Sequence, residues 1–375
     1  MPPATGMQIR GQVVTLRVGV GIIGTGVGLR SIEPAFRAID GASVVALSGS
    51  SAERTRALAA GRDIPFMSGD YRELCDHPDV DLVCIASPNE FHVEHAMYAI
   101  RSGKHVYLEK PVGLSASDAV KLAGLEASMS PSVVVGHQLR FNPMIVAVRD
   151  AIRDGRLGRI YHVGIRQEGS GFTDPDRAWT WELESEETGG VRLAMGSHVV
   201  DLLGYLTRSE PTAVFAATDP VHAVRRVPGE VEPRPVAASA YVSAGLSYPT
   251  FSAQVSSTAA SHGPFLFDVT VLGELADLRW DGVSAPLLHR HGQDPEPLVA
   301  DAVVAEFSER PGTSIFSKSF GYLASAMVDS VRSGQPLGDA ADLRSSVVTS
   351  AVLDALLHSA RSGGSAEVAT HLGVR

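Results

Sequence analysis

Cysteine is scarce in this chain, with only Cys75 and Cys84 among 375 residues. The two lie far from any CxxC spacing, which argues against a disulfide framework, a thiolate metal site or a redox pair and leaves each as a small buried hydrophobe. Basic charge is short as well. Lys and Arg number 32 against 42 Asp and Glu, for a net charge of −10, so the electrostatic footprint of a nucleic-acid binder or of a surface drawn to anionic lipid is missing. No apolar stretch is long enough to span a bilayer. Met1 to Thr15 lacks the basic region, apolar run and small-residue cleavage site of a signal peptide. Internal repeats and low-complexity tracts are absent too. With hydrophobic residues at 44% and charged residues at 20%, the chain reads as two or three globular domains working in the cytoplasm. No metal site, nucleic acid or membrane is expected among its partners.

Glycine is plentiful and in one place ordered. Arg17-Val18-Gly19-Val20-Gly21-Ile22-Ile23-Gly24 is a β-branched run ending in glycine, followed by Thr25-Gly26-Val27-Gly28-Leu29 and the periodic Ile32, Ala35, Phe36 and Ile39. Strand, glycine turn and helix form the setting of the dinucleotide fingerprint, in which backbone N–H groups approach a pyrophosphate at the positive end of a helix. Counted from Gly24, Gly26 falls in place, but Leu29 holds the third glycine position and Gly28 comes one residue early. A tight βα turn that binds nothing reads similarly. The next strand, 43–47, ends about 20 residues later, where an NAD enzyme offers a carboxylate to the ribose 2′-hydroxyl. Here Ser48-Gly49-Ser50-Ser51-Ala52-Glu53-Arg54 has no acid at the strand end. Hydroxyls and an arginine suit a 2′-phosphate, so NADP(H) is expected, with NAD(H) as the alternative. A helix cap from Ser50 or Ser51 is compatible with either.

Strands and helices keep alternating through the buried run Leu82 to Ala86, the break Ser87-Pro88-Asn89 and a helix from about His92 to Arg101. Then comes Gly103-Lys104-His105-Val106-Tyr107-Leu108-Glu109-Lys110-Pro111, a short strand whose carboxyl end carries Lys110 ahead of a turn-fixing proline. The alternation predicts a doubly wound parallel sheet, an α/β Rossmann domain over 16–136 behind an extension at 1–15. Lys110 and the glycine turn would share the carboxyl edge, where such sheets bind ligands.

Past this point β-type runs dominate, at 212–217, 237–242, 250–257, 265–272 and 275–280, with helical periodicity returning at 319–332 and 341–361. This predicts an α+β domain over 137–375 built on a large, mainly antiparallel open sheet.

Ser87-Pro88-Asn89 with His92, the Gly103 to Pro111 stretch, His137-Gln138-Leu139-Arg140-Phe141-Asn142-Pro143, Gly189-Gly190 and Gly196-Ser197-His198-Val199-Val200-Asp201 occur in that order. Together they resemble the glucose-fructose oxidoreductase / inositol dehydrogenase / MocA (Gfo/Idh/MocA) family over nearly the whole chain. The resemblance implies a Rossmann domain, a second domain whose sheet makes homo-oligomer contacts in a dimer or tetramer, and hydride transfer between a nicotinamide and a hydroxyl or keto carbon of a sugar, cyclitol or related polyol. It implies cofactor contacts from Gly24, Thr25, Gly26, Val27, Ser48, Gly49, Ser50, Arg54, Ser87, Pro88, Asn89, His92, Glu109 and Lys110. Lys110 and His198 match its catalytic positions, and His137, Arg140, Trp179, Trp181, Ser197 and His198 are candidates for the substrate side. One departure stands out. The family aspartate ahead of the histidine falls on Ala194, and Glu182, Glu186 and Glu187 upstream are candidates to replace it. A cofactor-binding regulator without turnover, or a redox-assisted lyase, epimerase or glycosidase, is the alternative.

Overall fold

The computed structural model describes residues 8–9, 12–13, 17–126, 132–220, 223–312 and 314–369, so most of the expected extension at 1–15 lies outside the described residues. Six strands, β1 (Val18–Ile23), β2 (Ala42–Ser48), β3 (Phe66–Ser68), β4 (Leu82–Ile85), β5 (His105–Leu108) and β6 (Val133–Val135), form one sheet in the order β3-β2-β1-β4-β5-β6. Every pairing in it is parallel. β1 and β4 are buried along their whole length, as strands covered by helices on both faces must be. The chain order reverses between β1 and β4, which opens a crevice at the carboxyl ends of these strands.

The misplaced glycine has a structural answer. The segment after the glycine turn is a π-helical turn, Gly28–Ile32, that runs into α1 (Glu33–Arg37). A π turn takes up one extra residue relative to an α-helix, and Gly28 opens this one. A Cβ on Gly28 would stand 2.7 Å from Ile22 Cγ2, so this early glycine does the close helix–strand packing asked of the third fingerprint position. Further along, Ser51 caps α2 (Ala52–Leu58) by accepting from Arg54 N, and α3 (His92–Arg101) leads into β5.

After α4 (Pro143–Arg153) the chain enters a nine-stranded sheet: β7 (Ile160–Glu168), β8 (Ala213–Pro220), β9 (Ser239–Ser247), β10 (Ser252–Thr258), β11 (Leu266–Gly273), β12 (Asp277–Trp280), β13 (Leu287–His289), β14 (Glu296–Pro297) and β15 (Ala366–Glu367). Their order is β14-β13-β12-β11-β7-β10-β9-β8-β15, antiparallel throughout except for the parallel pair β7 and β10. On its inner face Val163, Ile165, Val255 and Phe267 pack against Val148 of α4, Leu202 and Leu203 of α5 (Ser197–Thr207) and Leu356 of a long helix, Leu343–Ser362. The outer face keeps Phe215 at 56% and Tyr241 at 40% exposure.

The carboxyl-terminal stretch also serves the first domain. Phe320, Leu323, Ala324 and Met327 of α6 (Ile315–Ser333) pack with Val20, Ile22 and Phe36 of the parallel sheet and α1, and Ala341 bridges to Val135 at the end of β6. A helix distant in sequence thus completes the first core and ties the two sheets together.

Candidate functional site

A cleft of about 870 Å³ opens along the carboxyl edge of the parallel sheet. Its floor is the glycine turn. Gly24 has φ +111, and a Cβ there would lie 2.2 Å from Ala86 O, so the turn after β1 is pressed against the end of β4 in a conformation only glycine adopts readily. At Gly26 a Cβ would meet no protein atom within 4 Å. The space over this residue belongs to the cleft, as a close backbone approach by a phosphate requires. Every residue named above as a cofactor contact lines this one cavity: the 24–27 turn, Ser48, Gly49, Ser50, Arg54, Ser87, Pro88, Asn89, His92, Glu109 and Lys110.

Several lining residues escaped the sequence reading. Arg30 lines the same cleft as Arg54, signalled in hindsight by its place on the first turn after the glycines. The rings of Tyr71 and His95 meet at a tilt of 43° with centroids 4.1 Å apart at the cleft wall. Thr180 comes over from the second domain together with Trp181 and Glu182, two residues the sequence did single out, and Asn89 Nδ2 donates to Thr188 O across the gap at 3.2 Å. Of the three acids considered as substitutes for the family aspartate, only Glu182 reaches the cavity. Glu186 accepts from Ser239 Oγ and Glu187 pairs with Arg361.

Lys110 follows β5 through a cis peptide to Pro111. Behind it, the buried ring of His92 lies 2.7 Å from Pro111 O and 2.9 Å from Ser87 O, joining the turns after β5 and β4. Lys110 Nζ donates to Ala194 O at 2.7 Å. Ala194 belongs to a second π turn, Arg192–Gly196, immediately before α5, so the residue standing where the family has an aspartate contributes its carbonyl to the lysine. Burial pulls the Lys110 pKa below the usual lysine range, opposed by the charges of Glu109 and Glu182. Burial raises the Glu109 carboxyl, against Lys110 and the hydrogen bond from Tyr107, whose hydroxyl donates to Oε1 at 2.7 Å.

The residues expected on the substrate side are arranged differently. Trp181 lines the cavity; His137, Arg140, Trp179, Ser197 and His198 do not. His198 is 6% exposed, 4.7 Å from the Phe316 ring and 5.8 Å from the His137 ring between centroids. Burial, then the charges of Lys110 and His137, push its pKa well below the ordinary imidazole value. His137 is pushed down to about 4, again chiefly by burial. Arg140 donates twice to Asp201, from Nε at 2.9 Å and from Nη2 at 2.5 Å, in a buried pair. Asp201 Oδ2 is also 3.9 Å from His137 Nδ1. Ser197 Oγ turns back onto Leu193 O, and Trp179 donates to Pro235 O beneath the Arg234 guanidinium. No helix among the described residues is long and apolar enough to cross a membrane, and no group of three or more His, Cys, Asp and Glu among them is arranged to hold a metal.

Comparison with known proteins agrees with this architecture. The family model for oxidoreductases with an NAD-binding Rossmann fold matches residues 18–137, and that for the GFO/IDH/MocA C-terminal domain matches 145–279. A 1,5-anhydro-D-fructose reductase of Ensifer adhaerens is 36% identical over 184 residues, 47% of this chain and 52% of that protein. An inositol 2-dehydrogenase of Saccharopolyspora erythraea is 30% identical over 212 residues, 55% and 62% of the two chains. An uncharacterized oxidoreductase of Synechocystis is 31% identical over 187 residues, 50% of each, so the match spans about half the length of such relatives. Levoglucosan dehydrogenase, solved with NADH and levoglucosan, superposes with a TM-score of 0.83 over 94% of this chain and 100% of that one at 18% identity, a likeness of fold. With both domain models matched in order along one chain, this protein belongs to the Gfo/Idh/MocA oxidoreductase family, and its amino-terminal domain is an NAD-binding Rossmann domain.

Proposed function

We propose that this protein is a nicotinamide-dependent oxidoreductase that interconverts a hydroxyl and a keto group on a sugar, cyclitol or related polyol, with NADP(H) preferred. The observation that carries the reading is the single cleft shared by the glycine turn, the acid-free end of β2 and Lys110. Such a cleft fits a dinucleotide. The open face of Gly26 suits the pyrophosphate, while Ser50, Arg54 and Arg30 suit a 2′-phosphate, with no carboxylate at the strand end to repel it. When bound, the nicotinamide supplies the acceptor or donor of hydride.

The chain's own residues handle the oxygen and its proton. Lys110 lines the cleft beside the turn, and its lowered pKa suits it to take the hydroxyl proton during oxidation and return it during reduction. The Ala194 carbonyl, accepting from Nζ, holds the lysine nitrogen in place. Buried and kept neutral, His198 fits a hydrogen-bonding role toward the substrate better than that of a proton acceptor. We further propose that copies associate through the outer face of the nine-stranded sheet, where Phe215 and Tyr241 stand exposed.

Calorimetric titration with NADP⁺ and NAD⁺ tests the cofactor assignment, and steady-state assays over sugars and cyclitols test the chemistry. Gly26→Leu should keep the fold and weaken cofactor binding by at least about tenfold. Tighter binding of NAD⁺ would remove the preference, and failure to bind either dinucleotide would remove the reading. Sedimentation as a monomer at micromolar concentration would refute the association.

A further inference from the structure

A neutral imidazole has one N–H and one bare lone pair, so it donates once and accepts once. The surroundings of His92 offer nothing to accept from. Its Nδ1 lies 2.7 Å from Pro111 O and its Nε2 lies 2.9 Å from Ser87 O, and a backbone carbonyl only accepts. With one proton on the ring, one of these contacts sets lone pair against lone pair at hydrogen-bond distance, in a side chain only 1% exposed to water. With two protons, both contacts are hydrogen bonds. Those of a charged donor are also about twice as strong as neutral ones.

The place of the ring gives that second proton a consequence. Pro111 directly follows Lys110, and Ser87 borders the cleft, so the ring ties the turns after β5 and β4 together immediately behind the lysine. Lys110, from the turn after β5, is the charge that faces the ring. His95, one turn along α3, is the other titratable group that senses it, and burial pushes His95 down to about 4 and keeps it neutral. Glu109 and Glu182 act on the lysine. Burial opposes a positive ring, the two carbonyls favour it, and the charge of Lys110 opposes it.

We propose that His92 is an imidazolium in the resting protein, donating to both carbonyls, and that this buried cation positions the Lys110 turn at the cleft and keeps the lysine amine neutral. His92 is thus a positioning residue, acting through Lys110. The proposal rests on the dehydrogenase reading only where that amine is called a base. Coupling between two titrating groups is mutual: a charge on Lys110 disfavours one on the ring, so a charged ring disfavours ammonium at Lys110. A neutral amine still donates an N–H to Ala194 O and keeps its lone pair for the hydroxyl proton.

Two readouts on the full chain need no substrate. With ¹⁵N-labelled histidine, the His92 signal, identified by its loss in His92→Gln, should show protons on both ring nitrogens near neutral pH. Acylation of Lys110 by acetic anhydride, followed by mass spectrometry of its peptide, tracks the neutral amine. A glutamine amide offers two N–H groups to the carbonyls but no charge, so in His92→Gln the acylation midpoint should rise by about one pH unit. Turnover supplies a third readout: His92→Phe, which donates nothing, should lower kcat about 100-fold, and His92→Gln by less than about tenfold at its own pH optimum. One bare ring nitrogen near neutral pH, or an unmoved Lys110 midpoint in His92→Gln, overturns the proposal whether or not any polyol is oxidised. Neither result depends on His92→Phe folding. Equal kcat in the two variants overturns the positioning role. A doubly protonated ring and a displaced lysine midpoint, with no polyol turned over, uphold the imidazolium and sink the dehydrogenase reading alone.

Discussion

The two walls of the cleft present their chemistry in different ways. On the first-domain wall the glycine turn and Lys110 sit on the ends of parallel strands, bordering open space. On the second-domain wall His137, Arg140 and His198 lie under the surface, against one another, Asp201 and Phe316. A motif locates a residue's backbone. Burial and neighbours then decide whether its side chain can meet a ligand, hold a charge or only support the fold, and Lys110 and Arg140 fall on opposite sides of that decision although both stand in equally plain motifs.

The sharpest break of the comparison is kinetic. Lys110→Ala should lower kcat by about 100-fold to 10,000-fold, while a calorimetric cofactor Kd stays within a few-fold of wild type. Normal turnover would put the proton chemistry elsewhere on the wall.

Arg140→Ala and Asp201→Ala test the opposite wall. Each leaves a buried charge without its partner, so each should destabilise the fold by about 3–5 kcal/mol in urea titration, and the double variant should lose less than the sum. If Arg140→Ala unfolds like wild type, the pair does not support this wall.

Acid separates the walls as well. His137 and His198 are held below the ordinary imidazole value in the folded state, so below about pH 6.5 the unfolded chain takes up protons that the native one refuses. Their contribution is therefore intact above that pH and is lost as pH falls toward the folded value of about 4 for His137. Each adds a slope of up to about 1.4 kcal/mol per pH unit. Denaturation midpoints from pH 7 to 4 should decline, less steeply in His137→Phe; a parallel decline in that variant would mean that its imidazole is not the group excluded from protonation.

The smallest effect concerns cofactor choice on the first wall. Arg30→Ala and Arg54→Ala should each cut the NADP⁺ to NAD⁺ affinity ratio about tenfold, the scale of a charge-assisted hydrogen bond at an open site. An unchanged ratio in both would move 2′-phosphate recognition to the serines alone. Gly49 is a poor place for the same test, because a Cβ there would stand 2.6 Å from Thr55 Oγ1.

Much of this was readable from local pattern. Alternating apolar runs and turn residues marked the parallel sheet, and β2, α3 and β5 stand close to where periodicity put them. The residues that line the cleft along this sheet were legible for the same reason: in a βα unit, sequence order alone brings every strand's carboxyl end to one edge. The π turns at 28–32 and 192–196 were not legible, since an i→i+5 turn leaves no mark in apolar spacing. Neither was the parallel pairing of β7 with β10, a contact between strands about ninety residues apart.

By itself the sequence determined the class of both domains, the edge along which the cleft opens, and the place of Lys110 at that edge, because these follow from short-range periodicity and turn chemistry. Only the tertiary structure decided that α6 completes the first core, that Ala194 offers a carbonyl where the family has a carboxylate, and that Arg140 is committed to Asp201. Those outcomes depend on which distant surfaces pack together. Packing sets the burial and the partners that determine what each side chain can do.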